Sequence, residues 1–228
     1  MKQLLILLAS LCAGHAAPQD FSEKVFTFPV ESGTASVKVI ANAEQPLTAL
    51  TMCMRFFSSL TREQSLFSLA VPSEPNAFLL TMPSAGMYRL HINGPALDIS
   101  GLSYFTQEWN SVCWTWDSSD GLTTLWVNGN RSTRHILGAK VSLSGVPSII
   151  LGQEQDTYGG GFDKTQSFVG DITDMHLWNS SISLCEIRFF MDGSTFTPGN
   201  LINWRNLQYS TDGLVYVEQS DFDKLSCF

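Results

Sequence analysis

Short runs of β-branched and aromatic residues recur along the whole chain, at residues 25–30, 36–40, 66–71, 77–82, 87–92, 122–127, 148–151, 168–178 and 214–217. Gly, Pro, Ser and Asn separate most of them, and the segments around Cys53 and Cys113 have the same strand character. Many short strands with turn signals, and no helices alternating with them, predict an all-β antiparallel sandwich or jelly roll. One hairpin is sharply marked, because Leu125-Trp126-Val127 runs into Asn128-Gly129, a pair suited to the positive φ angles of a tight turn. A single short α-helix breaks the pattern. Ser183 and Glu186 have capping-box spacing, with Ser183 bonding an early backbone N–H and Glu186 reaching back. Ile182 and Ile187 flank this start as a hydrophobic staple, and Asp192-Gly193 offers a left-handed cap. A two-turn helix over 184–191 is expected, packed on the sandwich by Ile187 and one of Phe189 and Phe190. No Pro-rich linker, low-complexity tract or repeat divides the chain, so residues 17–228 read as one domain.

The first sixteen residues read differently. Met1-Lys2 gives a positive start, residues 4–12 an apolar run and Gly14-His15-Ala16 a small-residue exit, which together describe a secretory signal peptide cleaved after Ala16. The apolar run is shorter than the roughly 20 residues needed to span a bilayer, and no second stretch of spanning length follows. The expected product is secreted and extracellular, with no membrane span. Composition agrees with a packed domain: 44% of the 228 residues are apolar and 15% charged. The formal charge of −8, with no basic run, cannot neutralise many phosphates and argues against nucleic acid as a partner.

Of the five cysteines, Cys12 leaves with the signal peptide, and Cys53, Cys113, Cys185 and Cys227 remain for an oxidising compartment. Four cysteines allow three pairings. One joins Cys53 to Cys113 across neighbouring strands and Cys185 to Cys227 between helix and tail; a bridge from Cys227 to another subunit is the alternative for that last residue. Asn130-Arg-Ser132 and Asn179-Ser-Ser181 are glycosylation sequons in surface contexts.

The chemistry gathers in residues 150–166, where a strand gives way to Gln153-Glu154-Gln155-Asp156, the run Gly159-Gly160-Gly161, then Asp163 and Gln166. The glycines let the chain fold back so that acids distant in sequence meet. Hard oxygen ligands on an irregular loop suit Ca²⁺, which takes six to eight oxygens, whereas the absence of His and Cys argues against zinc. The alternating acids and final Glu of an EF-hand are missing. A solvated acidic loop without metal is the plainer alternative. A jelly-roll glycosidase built on Glu-x-Asp-x-x-Glu is a weaker one, since Glu154-Gln155-Asp156 supplies only the first half and Gly159 stands where the partner acid belongs. His91, His135 and His176 sit in strand or hairpin contexts and read as edge or core residues rather than bases.

Phe26-Thr-Phe-Pro29, Ile150-Leu-Gly-Gln-Glu-Gln-Asp156, Val169-Gly-Asp171, Asn203-Trp-Arg205 and Ser111-Val-Cys-Trp-Thr-Trp-Asp-Ser118 together make the chain resemble the pentraxins. The last stretch matches the family signature His-x-Cys-x-Ser/Thr-Trp-x-Ser/Thr except at its leading His. The resemblance implies a flattened, concanavalin-like jelly roll, a Cys53–Cys113 disulfide and a cyclic homo-oligomer, usually a pentamer. It also implies two neighbouring calcium ions that hold ligands on one face, in innate pattern recognition, with complement and Fc receptors as further partners. Carried over by position, Glu154 and Asp156 bridge both ions, Gln155 gives its backbone carbonyl to the first, and Gln166 is the amide ligand of the second. Two departures stand out: Asp163 replaces a Glu, and Pro75-Asn76 replaces an Asp-Asn pair, leaving Asn76 as the first ion's amide unless Glu74 turns in to help. Glu154, Asp156 and Asp163 then set three negative charges against four positive, so weak binding of the second ion is expected, with open positions for phosphate-bearing or acidic-sugar ligands of microbial or damaged-cell surfaces. The aromatic wall and Glu of phosphocholine binders fall near Thr81 and Ala96, which cannot stabilise a cation. The alternative reading is a structural or adhesive jelly roll depleted of metal.

Overall fold

The computed structural model describes residues 17–41, 43 and 46–222; the expected signal peptide and Cys227 lie outside them. The strands in chain order are β1 (Lys24–Phe28), β2 (Ser36–Val39), β3 (Ala49–Phe57), β4 (Gln64–Val71), β5 (Glu74–Ser84), β6 (Met87–Ile92), β7 (Ala96–Ile99) and β8 (Trp109–Asp117). There follow β9 (Leu122–Val127), β10 (Asn130–Arg131), β11 (His135–Ile136), β12 (Ser148–Leu151), β13 (Gly170–Trp178), β14 (Tyr209–Asp212) and β15 (Tyr216–Gln219), with one α-helix, α1 (Leu184–Met191), among the described residues. The first sheet runs β10-β9-β8-β3-β13-β1-β15, with β11 also paired to β9; the second runs β14-β2-β12-β4-β5-β6-β7. Every named pairing is antiparallel, and the all-β sandwich with one short helix is the fold observed.

Alternation explains the layers. In β8, Val112, Trp114 and Trp116 enter the core between the sheets, while Cys113 points the other way into a second, smaller cluster. Opposite it, Phe78, Leu80 and Leu90 of the second sheet fill the same core. Phe78 stacks on Trp114 with ring centroids 3.6 Å apart and so clamps one sheet to the other. Such a pair adds about 0.5–1.5 kcal/mol beyond its area burial.

The outer face of the first sheet is closed by α1. Ile187 and Phe190 bury against Cys53, Cys113, Trp126 and Trp178, whereas Phe189 is exposed. Cys53 and Cys113 are register partners in β3 and β8 and form a disulfide beneath the helix. Cys185 is exposed and unbridged among the described residues. Ser183 caps α1 by accepting from Glu186 N at 3.3 Å, as expected. The other half of the capping box is not made. The Glu186 carboxylate instead accepts from Thr197 N (2.9 Å) and Thr197 Oγ1 (3.1 Å), because the chain after the helix folds back within its reach.

This face also buries a charge. Arg55, 2% exposed, donates Nε to Asp174 at 3.1 Å, Nη1 to Ser111 Oγ and Nη2 to the Phe190 carbonyl, and its guanidinium lies over the rings of Phe190 and Phe222. Asp174 also meets the buried His176 Nε2 at 3.2 Å. Burial pushes the Asp174 carboxyl up, but the hydrogen bond to His176 and the Arg55 charge outweigh it and hold the group below the usual carboxylate range. His176 is thus a core residue with a structural partner. His91 bonds the Gly94 carbonyl and His135 the Thr133 hydroxyl.

A candidate metal centre on the second sheet

The opposite face of the molecule is covered by the segment from Gly152 to Phe168, closed at its base by Phe168 N donating to Gly152 O at 3.0 Å. Its tip is a two-residue turn at Tyr158-Gly159, with Thr157 and Gly160 exchanging backbone hydrogen bonds and Tyr158 Oη donating to Val146 O. The return is tight. Gly161 has φ +78°, and a Cβ there would stand 2.9 Å from Asp156 Cβ, so only glycine lets the descending chain lie against Asp156. The glycine run thus folds the chain back on itself, bringing Gly161 against Asp156.

Two amides pin the first half of the loop. Gln155 Nε2 donates to Ser68 O, Ser68 Oγ and Ser148 O, each at 3.1 Å, and Gln155 Oε1 accepts from Gly159 N. The Gln155 side chain is therefore spent on the sheet beneath, which leaves its backbone carbonyl as the group it can offer a cation. Gln153 Nε2 donates to Ser32 O and Ala35 O, both at 2.8 Å, tying the same foot to the β1–β2 connection. The second half is held by a short 3-10 turn, Lys164–Gln166. Asp163 caps that turn, its Oδ1 accepting from Thr165 N and Oγ1, and those bonds pull the exposed Asp163 carboxyl below its ordinary value.

Glu154, between Gln153 and Gln155 in the first half, is buried. Burial first, then the charges of Asp156, Glu63 and Asp163, push its carboxyl up to about 7, against only Arg89. Glu154, Asp156 and Asp163 thus share one electrostatic neighbourhood. Glu63, at the end of the β3–β4 connection, joins it and was not legible as a site residue, since no motif links it to a loop ninety residues on. No group of three or more His, Cys, Asp or Glu forms a metal cluster among the described residues, so the acids alone do not make a cage. Amide and carbonyl oxygens must complete it.

Buried polar atoms without partners occur on both faces of the sandwich, Trp126 Nε1 among them on the helix side. Eight buried side-chain nitrogen or oxygen atoms lack a hydrogen-bond partner among the described residues. Gln153 Oε1 is in the loop, and Ser148 Oγ, Ser65 Oγ and Thr81 Oγ1 lie on the loop-bearing face of the second sheet. A fifth, Asn76 Oδ1, is at the head of β5. Buried acceptors without donors are costly unless something positive or a water meets them. Asn76, Glu154, Asp156, Asp163, Gln166 and the Gln155 carbonyl fit an oxygen-seeking divalent cation by chemistry. Glu74 does not add to them: its Oε1 accepts from Asn76 N at 3.0 Å, and it serves as a brace for the turn that presents Asn76.

Comparison with known proteins gives a consistent picture. A family model described as "Pentaxin family" matches residues 24–219. Serum amyloid P-component of Rattus norvegicus is 40% identical over 229 residues, covering 99% of this chain and 100% of the relative. C-reactive protein of Sus scrofa is 40% identical over 218 residues, covering 95% and 97% of the two chains. Among solved structures, a native heptameric SAP-like pentraxin from Limulus polyphemus superposes with a TM-score of 0.78 at 24% identity, covering 89% of this chain and 98% of that one.

Proposed function

This chain belongs to the pentaxin family, and from that premise we propose that it is a secreted, calcium-dependent recognition protein. Its ligands are phosphate-bearing or acidic-sugar groups, held on the loop-bearing face. The family is one of binding proteins rather than enzymes, which sets aside the glycosidase reading. The observation that supports the proposal most is the buried Glu154, crowded by Asp156, Glu63 and Asp163 and answered only by Arg89. Such a group wants a cation. Asn76, Glu154, Asp156 and the Gln155 carbonyl would hold a first Ca²⁺, and Glu154, Asp156, Asp163 and Gln166 a second.

When bound, the ions supply positive charge and open coordination positions for an anionic oxygen. The chain's own residues do the rest. Gln155, through Ser68 and Ser148, fixes the loop on a rigid sheet, so the donor oxygens are set before any ligand arrives. By position, Thr81 and Ala96 supply no cation-stabilising wall, which favours simple anions over phosphocholine. Secretion is supported by the Cys53–Cys113 disulfide. Assembly into a ring is supported by the heptameric SAP-like relative from Limulus. The test is capture on beads bearing a phosphate monoester or a carboxylated sugar. The proposal expects retention in calcium and release by EDTA, with no retention by Glu154→Ala; equal retention in calcium and EDTA would contradict it.

A further inference from the structure

The two halves of the metal loop are anchored by different parts of the molecule, and the main anchor of the outer half is an arginine. Arg62, in the β3–β4 connection, donates Nη1 to Glu63 O (2.6 Å), Thr165 O (3.0 Å) and Ser167 O (2.8 Å). Its Nη2 stands 3.5 Å from Glu31 Oε2, and Lys164 Nζ lies 3.8 Å from the other oxygen of the same carboxylate. Thr165 and Ser167 flank Gln166, and Asp163 caps the same turn. Fixing both carbonyls therefore fixes the backbone that aims Gln166 and Asp163. Ser167 is held from a second side, accepting from Ser32 N at 3.2 Å and donating to Lys164 O at 2.7 Å.

We propose that Arg62 is the positioning residue of the outer cation site: it builds the Asp163–Gln166 half-site before metal arrives, while the inner half stands on Gln153 and Gln155. This inference rests on the two-cation reading above and adds to it a division of labour. A guanidinium suits the role, since it is planar, offers five donors in a fixed fork and stays charged at every working pH. Glu31 offsets its charge, so the anchor does not repel the ion it serves. Asp163 is short and exposed, and a short carboxylate tolerates little drift of the backbone that carries it.

Calorimetric calcium titration of the whole secreted protein, wild type against Arg62→Gln and Arg62→Lys, tests this. In Arg62→Gln the weaker calcium step should lose about tenfold or more in affinity, the scale of one charge-assisted hydrogen bond, while the tighter step stays within about twofold. Arg62→Lys, which keeps the charge but not the fork, should fall between and shows the effect if Arg62→Gln does not fold. Equal loss of both steps in a variant that melts like wild type, or no loss in either, would overturn the proposal. A separate readout needs no metal: chymotrypsin should cut after Phe162 faster in the EDTA-treated variants than in EDTA-treated wild type. If wild type binds no calcium, the metal reading fails on its own, and the cleavage rates still decide Arg62: faster cutting supports its hold on the loop, and equal cutting removes it.

Discussion

The two outer faces of the sandwich each bury charge, and they treat it in opposite ways. On the helix side Arg55 is met by Asp174, Ser111, the Phe190 carbonyl and two aromatic faces, and Asp174 is held ionised. On the loop side Glu154 is crowded by acids and pushed up to about 7, and Gln153, Asn76, Ser148, Ser65 and Thr81 each leave a polar atom unmatched. The first face is nearly complete as protein, with Trp126 Nε1 a buried polar atom still unmatched among the described residues. The second leaves more unmatched, and that difference is what the proposed cations would fill.

The strongest way to break this contrast is on the completed face. Loss of the disulfide in a Cys53→Ala, Cys113→Ala double variant should cost about 4 kcal/mol, for a sequence separation of 60. Asp174→Asn keeps the shape and tolerates the positive φ of 50° at that position, but leaves Arg55 buried without its counter-charge. Removing one partner of a fully buried pair costs about 3–5 kcal/mol; the Asp174 side chain is 30% exposed, so the loss should fall at or below the low end of that range, and equilibrium urea unfolding should show it, with calcium affinity unchanged.

On the incomplete face the sign reverses. The folded-state value of Glu154, about 7, lies above its ordinary 4.5, so folded protein binds the proton more tightly than unfolded. That stability is fully present below the ordinary value and is lost as pH rises through about 7. Calcium-free protein should therefore melt higher at pH 5 than at pH 8, whereas calcium at pH 8 should restore the loss and Glu154→Gln should abolish the dependence. Asp174 runs the other way: its depressed value gives stability that is present above the ordinary carboxylate range and lost as pH falls through the folded value. Melting curves in EDTA across pH 3–9, wild type against Glu154→Gln and Asp174→Asn, separate the two contributions.

Smaller effects sharpen the division within the loop. Gln166→Ala should weaken only the outer calcium step, by about tenfold, with the melting midpoint in EDTA unmoved. Smallest of all, Asn130→Gln and Asn179→Gln should each remove one glycan from the intact mass while changing stability by less than about 0.5 kcal/mol, since both side chains are exposed. Neither should alter calcium binding.

Much of the scaffold could be read from residues alone because its signals are local. The run at 148–151, the hairpin at Asn128-Gly129, where both residues take positive φ, and the helix over Leu184–Met191 are each set by alternation, turn chemistry or capping within a few residues. The pairing of β7 and the exposed β14 was not legible. Ala96–Ile99 is only four residues long and mostly exposed, Tyr209–Asp212 has little apolar character, and both are strands because a neighbour supplies their hydrogen bonds. Glu186 shows the limit of a local rule, since its carboxylate found a better donor eleven residues away. Of the proposed ligands, all but Asn76 lay in one legible stretch. Their supports did not: Arg62, Glu63 and Glu31 reach the loop only through the register of the strands, which brings residues a hundred positions apart into contact.

The most direct test is diffraction from crystals of the mature protein grown in millimolar calcium and compared with crystals grown in EDTA. Two cation peaks between Glu154 and Asp156, one reaching Asn76 and the Gln155 carbonyl and the other Asp163 and Gln166, are the expected result. A loop unchanged in calcium, with no cation density at Glu154, would contradict the account.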